Sequence, residues 1–166
     1  MRRAAAVVLV ALALAGGAVA QSGTLDYAET DPGMVAAMEQ ARETFDAFLA
    51  AVLAEDGEAM PDAAVKVAIP LADGPQTTEV IWVTPFRRLD GGGFEGRLAN
   101  QPVYFDARAG DTVPFGAGDV RDWYVYGSDG RMYGSFTTRV MLPDLAPADR
   151  VGLEEILSDD PLPTDW

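Results

Sequence analysis

The longest hydrophobic pattern in the chain is a helical stripe that begins after Asp31. Large apolar residues recur mostly three or four positions apart, which places them on one side of an α-helix: Met34, Met38, Ala41, Phe45, Phe48, Leu49 and Val52. Asp31 can cap this helix, Pro32 suits its first turn, and Gly57 stops it, so we expect a helix to about Glu55. The polar face carries more acid than base, which favours packing on a protein core over binding to a membrane surface.

Beyond this helix the apolar residues recur with a period of two, which predicts β-strands. Strands are expected at residues 63–69, 77–89, 94–98, 103–105, 112–115, 119–126 and 132–141. Turns rich in glycine, aspartate or proline separate them at residues 71–76, 90–93, 109–111 and 127–130. Pro114 indicates an edge position or a strand end. A short helix is expected at residues 147–157, followed by a loose tail at residues 158–166.

These elements predict an α+β domain, in which the N-terminal amphipathic helix packs on a twisted antiparallel sheet of five to six strands. The pattern leaves open whether the sheet curls into a partly open barrel. No internal repeat or long linker indicates a second domain. Residues 21–166 are therefore expected to form a single domain, with its core at about residues 34–142.

The first twenty residues predict export. The stretch MRRAAAVVLVALALAGGAVA begins with two arginines, continues with an apolar run and ends with the small residues Ala18 and Ala20, as a secretory signal peptide does. The apolar run falls short of the roughly 20 residues that a membrane-spanning helix needs, which favours cleavage before Gln21 over a retained anchor. We therefore expect a soluble mature chain, periplasmic or secreted, without a membrane span.

Cysteine and histidine are both missing from the sequence, and their absence excludes several kinds of covalent link, catalytic site and metal site. Without cysteine, the chain forms neither a disulfide nor a lipid-modified cysteine, so its stability must come from a hydrophobic core. Without histidine as well, it cannot form a Ser-His-Asp or Cys-His nucleophile system, a usual zinc site or a histidine general base. Carboxylate catalysis remains open. The acidic residues lack the regular spacing of a calcium loop, so we predict no metal site and no cofactor.

The charge of the chain argues against one class of partner. The formal net charge is −14, and loss of Arg2 and Arg3 with the signal peptide would make it −16. Nucleic-acid binding needs clustered basic residues, whereas this chain has a single lysine, Lys66, and arginines that are scattered apart from Arg87 and Arg88. We expect a monomer whose partner is an unknown ligand or a cell-envelope protein, and no nucleic-acid partner.

Five short motifs carry a family resemblance. They are EVIWV at residues 79–83, GRLANQP at 96–102, AGDTV at 109–113, DW at 122–123 and GSFTTR at 134–139. In their order and spacing the chain resembles the YegJ-like proteins, domain of unknown function 2314, over about residues 34–142. It departs from the family where Val120 and Arg121 replace an isoleucine and a variable residue. The resemblance implies a bacterial domain, often exported, with no established activity, catalytic residues or cofactor.

The candidate ligand-binding residues lie in or beside these motifs: Glu79, Arg97, Asn100, Asp122, Trp123 and Arg139. Gathered around one concave patch, their carboxylates and guanidinium groups could grip a zwitterionic or cationic ligand. The alternative is structural, with Asp122 accepting backbone N–H bonds from a neighbouring turn and Trp123 buried, so that the motif locks a hairpin. Glu79 lies three positions from Trp82 and should face solvent or a groove, and Asn100 should supply turn hydrogen bonds.

Aromatic residues are frequent in the second half of the chain: Tyr104, Phe105, Tyr124, Tyr126 and Tyr133. Such a band on a sheet is either part of the core or a platform for carbohydrate or peptide. With no catalytic motif in the sequence, a non-catalytic binding or interaction module is the leading hypothesis. The alternatives are a hydrolase of an envelope substrate, with Glu79 and Asp122 as acid and base, and an acidic inhibitor of a cationic envelope protein.

Overall fold

The computed structural model of the protein describes residues 7–8, 31–72, 77–164 and 166. The helices are α1 Pro32–Glu43, α2 Phe45–Val52, α3 Phe136–Met141 and α4 Pro147–Ile156. The strands are β1 Val7–Val8, β2 Ala63–Pro70, β3 Thr78–Arg88, β4 Phe94–Leu98, β5 Thr112–Phe115, β6 Val120–Tyr126 and β7 Met132–Gly134. Most of the predicted signal peptide, its cleavage site and most of the predicted turn at residues 71–76 lie outside the described residues.

The predicted N-terminal helix is two helices that meet at Thr44. Asp31 caps α1 as expected, because its Oδ1 accepts a backbone N–H of the first turn at 2.9 Å. Thr44 interrupts the helix: its hydroxyl donates to the carbonyl oxygen of Gln40 at 2.7 Å and accepts the indole N–H of Trp123 at 3.1 Å. The second helix ends at Val52, slightly before the expected position.

Six antiparallel strands form one open sheet in the order β5-β4-β3-β2-β6-β7. Strands β2 to β5 follow one another as the predicted meander, and β6 returns to pair with β2. The α+β class is therefore confirmed, and the sheet does not close into a barrel. Pro114 lies in the edge strand β5, as its missing N–H suggests. The two residues of β1 pair in parallel with Glu79 and Val80 of β3.

Helices α1 and α2 lay their apolar stripe on one face of this sheet. Phe48 stacks on Trp123 of β6 at 4.8 Å between ring centroids, and both side chains are fully buried. Val65 and Val67 of β2 and Ile81 of β3 join the same cluster. The core therefore forms where the sequence predicts it, between the helical stripe and the alternate residues of the central strands.

Three segments differ from the prediction. Residues 132–141 are expected to be one strand, but β7 ends at Gly134 and the chain continues as α3. Residues 103–105 are expected to be a strand and are an irregular loop. The tail at residues 158–164 is not loose, since Ser158 N donates to Met132 O at 3.0 Å and Gly134 N donates to Pro161 O at 2.7 Å. The expected helix near the end of the chain is confirmed as α4.

Candidate functional site

Asp122 lies at the centre of a buried hydrogen-bond network in β6. Its carboxylate accepts the backbone N–H groups of Trp123, Phe136 and Thr137 at 2.8–3.0 Å, and the hydroxyl of Thr137 at 2.5 Å. Two of these N–H groups open α3, so Asp122 caps a helix that begins 14 residues further along the chain. This explains why residues 136–141 are helical despite their β-branched composition: the cap is not local in sequence.

The turn into α3 also needs an unusual backbone. Gly134 has a φ of 73° and Ser135 a φ of 54°, both in the left-handed region. A side chain at Gly134 would collide with the carbonyl oxygen of Trp123. The glycine therefore ends β7 and lets the chain wrap closely around the edge of β6.

The single lysine of the chain is the cationic partner of this network. Lys66 is directly opposite Asp122 in the β2–β6 register and is fully buried. Its Nζ donates to Thr137 Oγ1 at 2.8 Å and lies 4.8 Å from the ring centroid of Trp82, a cation–π distance. Thr137 thus bridges the two charges, since its hydroxyl accepts from Lys66 and donates to Asp122.

Burial sets the protonation behaviour of this pair. Loss of solvation lowers the pKa of Lys66 to about 8, against the influence of Asp122, which raises it. The same burial raises the pKa of Asp122, opposed by the charge of Lys66 and by the hydrogen bonds from Thr137 and Trp123. Each charge is therefore kept in the interior largely by the other and by the donors around it.

Trp123 extends the network into the core. Its indole Nε1 donates to Ala41 O at 3.0 Å and to Thr44 Oγ1, and its ring contacts Phe136 edge-on at 5.4 Å. The contacts tie β6 to α1 and α3. The Asp122-Trp123 motif is thus a structural lock in the described residues, with its polar atoms directed at backbone and neighbouring side chains.

Glu79 is buried, although the sequence predicts a side chain that faces solvent or a groove. Its Oε1 and Oε2 accept the backbone N–H groups of Val103 and Tyr104, each at 2.9 Å. The carboxylate fixes the loop between β4 and β5 in an irregular path, which is why residues 103–105 do not form a strand. The same loop presents Val103 and Tyr104 outward, with 61% and 41% of their surface exposed.

The other candidate residues lie apart. Arg97 is exposed on β4, and Arg139 uses its guanidinium on the carbonyl oxygens of Gly134 and Ser158 at 2.9 and 2.7 Å. The Oδ1 of Asn100 is buried without a hydrogen bond among the described residues. Gln101 braces the turn instead, donating to Ala107 O at 2.8 Å.

These residues do not surround one concave patch. Lys66 is opposite both Trp82 of β3 and Asp122 of β6, so Asp122 shares a sheet face with Trp82. Glu79 is three residues from Trp82 and therefore belongs to the opposite face. Asp122 lies two strands away from Glu79 and is offset from it by three residues along the strand direction. The Cα atoms of the two residues are therefore roughly 14 Å apart. The predicted acid–base pair is not assembled.

The structure contains a cleft that the sequence motifs do not predict. It has a volume of about 340 Å³ and lies between the β6–β7 turn, the end of α2 and the last residues of the chain. Its walls are Ala51, Val52, Met60, Val125, Tyr126, Gly127, Ser128, Asp129, Tyr133, Pro163, Thr164 and Trp166. Trp166 is 40% exposed there, and its ring stacks on Trp123 at 5.3 Å. The buried lock therefore supports one wall of the cleft. The sequence feature that could have indicated this wall is Trp166, a lone tryptophan in the polar tail.

Asp129 is the carboxylate of this cleft. Its Oδ1 accepts the backbone N–H of Arg131 and its Oδ2 accepts the hydroxyl of Tyr133, both at 3.0 Å. The N–H of Arg131 and the Tyr133 hydroxyl lower the pKa of Asp129, so it is ionised at neutral pH. A side chain at Gly127 would run into the Tyr133 ring and the Asp129 carboxylate, so this glycine lets the turn fold tightly against them.

No group of three acidic side chains that could hold a metal ion occurs within residues 31–72, 77–164 and 166. No helix in this part of the chain is long and apolar enough to cross a membrane.

A family model described as "Uncharacterized protein conserved in bacteria (DUF2314)" matches residues 31–156. The match spans α1 to α4, including the lock, the loop that Glu79 holds and the β6–β7 turn. Comparison with curated proteins found no match. Comparison with solved structures found none either.

Proposed function

The chain belongs to the DUF2314 family of bacterial proteins, and we propose that it is an exported, non-catalytic binding module that takes a small ligand in the cleft beside the β6–β7 turn. Export follows from the signal-peptide pattern of residues 1–20. The cleft carries the proposal, because it combines aromatic side chains with polar groups at an accessible surface.

The occupied carboxylates favour binding over catalysis. A general acid or base must reach a proton on the substrate, within about 3 Å or through one water. Asp122 and Glu79 are fully buried, and their oxygens accept hydrogen bonds from the protein itself. The carboxylates that the sequence offers for hydrolysis are thus engaged in holding α3 and the loop at residues 103–105.

The cleft itself has the character of a ligand site. Its volume is at the lower end of the roughly 300–1,000 Å³ range of small-molecule pockets. Tyr133 and Trp166 are the aromatic side chains of its walls, and Met60 is 41% exposed at its margin. Trp166 rests on Trp123 and Phe48, so its ring is supported from below.

A fragment screen tests the proposal. Saturation-transfer NMR on the purified protein would use a mixture of small sugars, amino acids, amines and carboxylic acids. We expect some fragments to bind the wild type and to lose their signal in Trp166→Ala. The matched control is Val151→Ala, which removes an equally exposed apolar side chain on α4, outside the cleft.

Two results would contradict the proposal. One is binding that Trp166→Ala and Val151→Ala leave equally intact, or no binding at all, because the cleft would then not be the site. The other is turnover of peptidoglycan, peptide or ester substrates by the purified protein, which would establish an enzyme.

A further inference from the structure

The charged side chain in the described lining of the cleft is acidic. Asp129 is an ionised carboxylate in its wall. No lysine or arginine occurs among the described residues that line the cleft. Arg131, the nearest cation along the turn, donates its Nη1 to Glu155 O at 2.7 Å, which directs it towards α4. A cation entering the cleft therefore meets the Asp129 carboxylate, on which the charge of Arg131 outside the lining also acts.

We propose that the ligand of the cleft is a small organic cation, held by its ammonium group between the aromatic rings and the Asp129 carboxylate. This inference rests on the proposed function, and it adds the chemical class of the ligand. Tyr133 and Trp166 line the same space as Asp129, whereas the Tyr126 side chain packs with Tyr124 and Met132 on the other face of the sheet. Aromatic faces and a carboxylate together form the usual protein environment for an ammonium group.

Asp129 retains capacity to contact such a ligand. An ionised carboxylate has about four lone-pair directions. The N–H of Arg131, the Tyr133 hydroxyl and the residue's own backbone N–H use part of this capacity. The Tyr133 hydroxyl also orients the carboxylate towards the ring that shares the cleft wall. A bound cation would thus add to the existing turn contacts without replacing them.

The apolar side chains within the lining favour an alkylated ammonium over a bare one. Val52, Met60 and Pro163 line the cleft beside the rings. Methyl or methylene groups around a nitrogen gain from contact with such surfaces, and a weakly hydrated cation loses less solvation on entry. The net charge of −14 raises the local concentration of any cation at the protein surface.

The experiment compares choline with 3,3-dimethyl-1-butanol, its uncharged isostere, by titration of the purified protein followed by NMR. We expect choline to bind at least about tenfold more tightly than the alcohol, because the two differ in charge and not in shape. Asp129→Asn should weaken choline binding by about tenfold and alter alcohol binding by less than about twofold. The asparagine retains an oxygen for the Arg131 N–H, so the turn is preserved.

Asp149→Asn is the matched control, since it removes one exposed negative charge from α4 and should leave both affinities unchanged. Equal binding of choline and the alcohol, each lost in Trp166→Ala, would overturn the cationic ligand and leave the cleft as a binding site. Choline binding that Asp129→Asn does not weaken would overturn it too. If neither probe binds at 50 mM (about the weakest useful affinity), the cation is excluded, and the fragment screen alone decides whether the cleft binds anything.

Discussion

Asp122 and Glu79 are two buried carboxylates that perform the same task in different surroundings. Each accepts consecutive backbone N–H groups from a segment distant in sequence: Phe136 and Thr137 for Asp122, Val103 and Tyr104 for Glu79. Asp122 has in addition a buried cation on the opposite strand, reached through the hydroxyl of Thr137. Within the part of the chain that the structure describes, the hydrogen bonds to Glu79 come from this loop.

The comparison shows how much a counter-charge matters. A carboxylate inside a protein needs donors to replace water, and both residues have them. At Asp122 a second charge is also buried, so removing either partner leaves the other uncompensated in the core. At Glu79 the segment held is an exposed loop, which can move and let water replace a lost bond. Although both carboxylates are fully buried, we therefore expect the loss of Asp122 to lower the unfolding free energy more than the loss of Glu79.

The largest effect is expected for Asp122→Asn. The amide cannot accept all of the hydrogen bonds that converge there, and it leaves Lys66 without a counter-charge. We expect the unfolding free energy to fall by about 3 kcal/mol, measured by chemical denaturation. Exposed Asp106→Asn should change it by less than about 0.5 kcal/mol. A change as small as that for Asp122→Asn would show that the fold does not need this charge.

The next effect concerns pH and Lys66. Its pKa is about 8 in the folded protein, against 10.5 normally. Because the unfolded chain binds the proton more tightly, the unfolding free energy should rise with pH between about 8 and 10.5, by about 3 kcal/mol at most. Burial raises the pKa of Tyr124 and Tyr126, which opposes the gain above about pH 10.

The measurement follows denaturation midpoints of the wild type and of Lys66→Met from pH 7.5 to pH 9.5 (about the window below tyrosine ionisation). The variant should lack the rise, because it has no titrating group at that position. Parallel curves for the two proteins would contradict a buried lysine with a lowered pKa.

A smaller effect is expected for Glu79→Gln. The amide can accept one of the two N–H groups, and the exposed loop can adjust to hydrate the other. We expect a loss of about 1–2 kcal/mol in unfolding free energy. Hydrogen exchange should accelerate at the amides of Val103 and Tyr104 and remain unchanged in α3. Acceleration in both regions would mean that Glu79 stabilises the whole fold as Asp122 does.

The same two carboxylates mark the limit of what the sequence predicts. The period-two hydrophobic pattern and the turn residues in the sequence locate strands β2 to β6. Single residues indicate the helix cap at Asp31 and the edge position of Pro114. All of these features depend on local patterns. The two wrongly predicted strands, residues 103–105 and the end of 132–141, are the segments that Glu79 and Asp122 hold. Their conformation is imposed across the fold, and no local propensity reveals it.

The candidate site shows the same limit. The six residues chosen from the motifs carry suitable chemistry, but they are dispersed over the fold: four lie on three different strands, Arg139 lies on α3, and Asn100 lies in the loop after β4. The cleft depends on Trp166 reaching back to Trp123, a contact across 43 positions. Only the folded arrangement of the chain's last residues brings that wall into place.

Because Lys66 is buried, the rate of its chemical modification reports how often the surrounding structure opens. The chain has one lysine, so acylation of a side-chain amine can report on only one position. Because that amine is fully buried, a reagent reaches it only when the sheet around Thr137 and Trp82 opens. The rate at which Lys66 gains an acyl group, read by mass spectrometry of the peptide that contains it and so apart from the N-terminal amine, therefore measures how often this part of the interior is exposed to solvent.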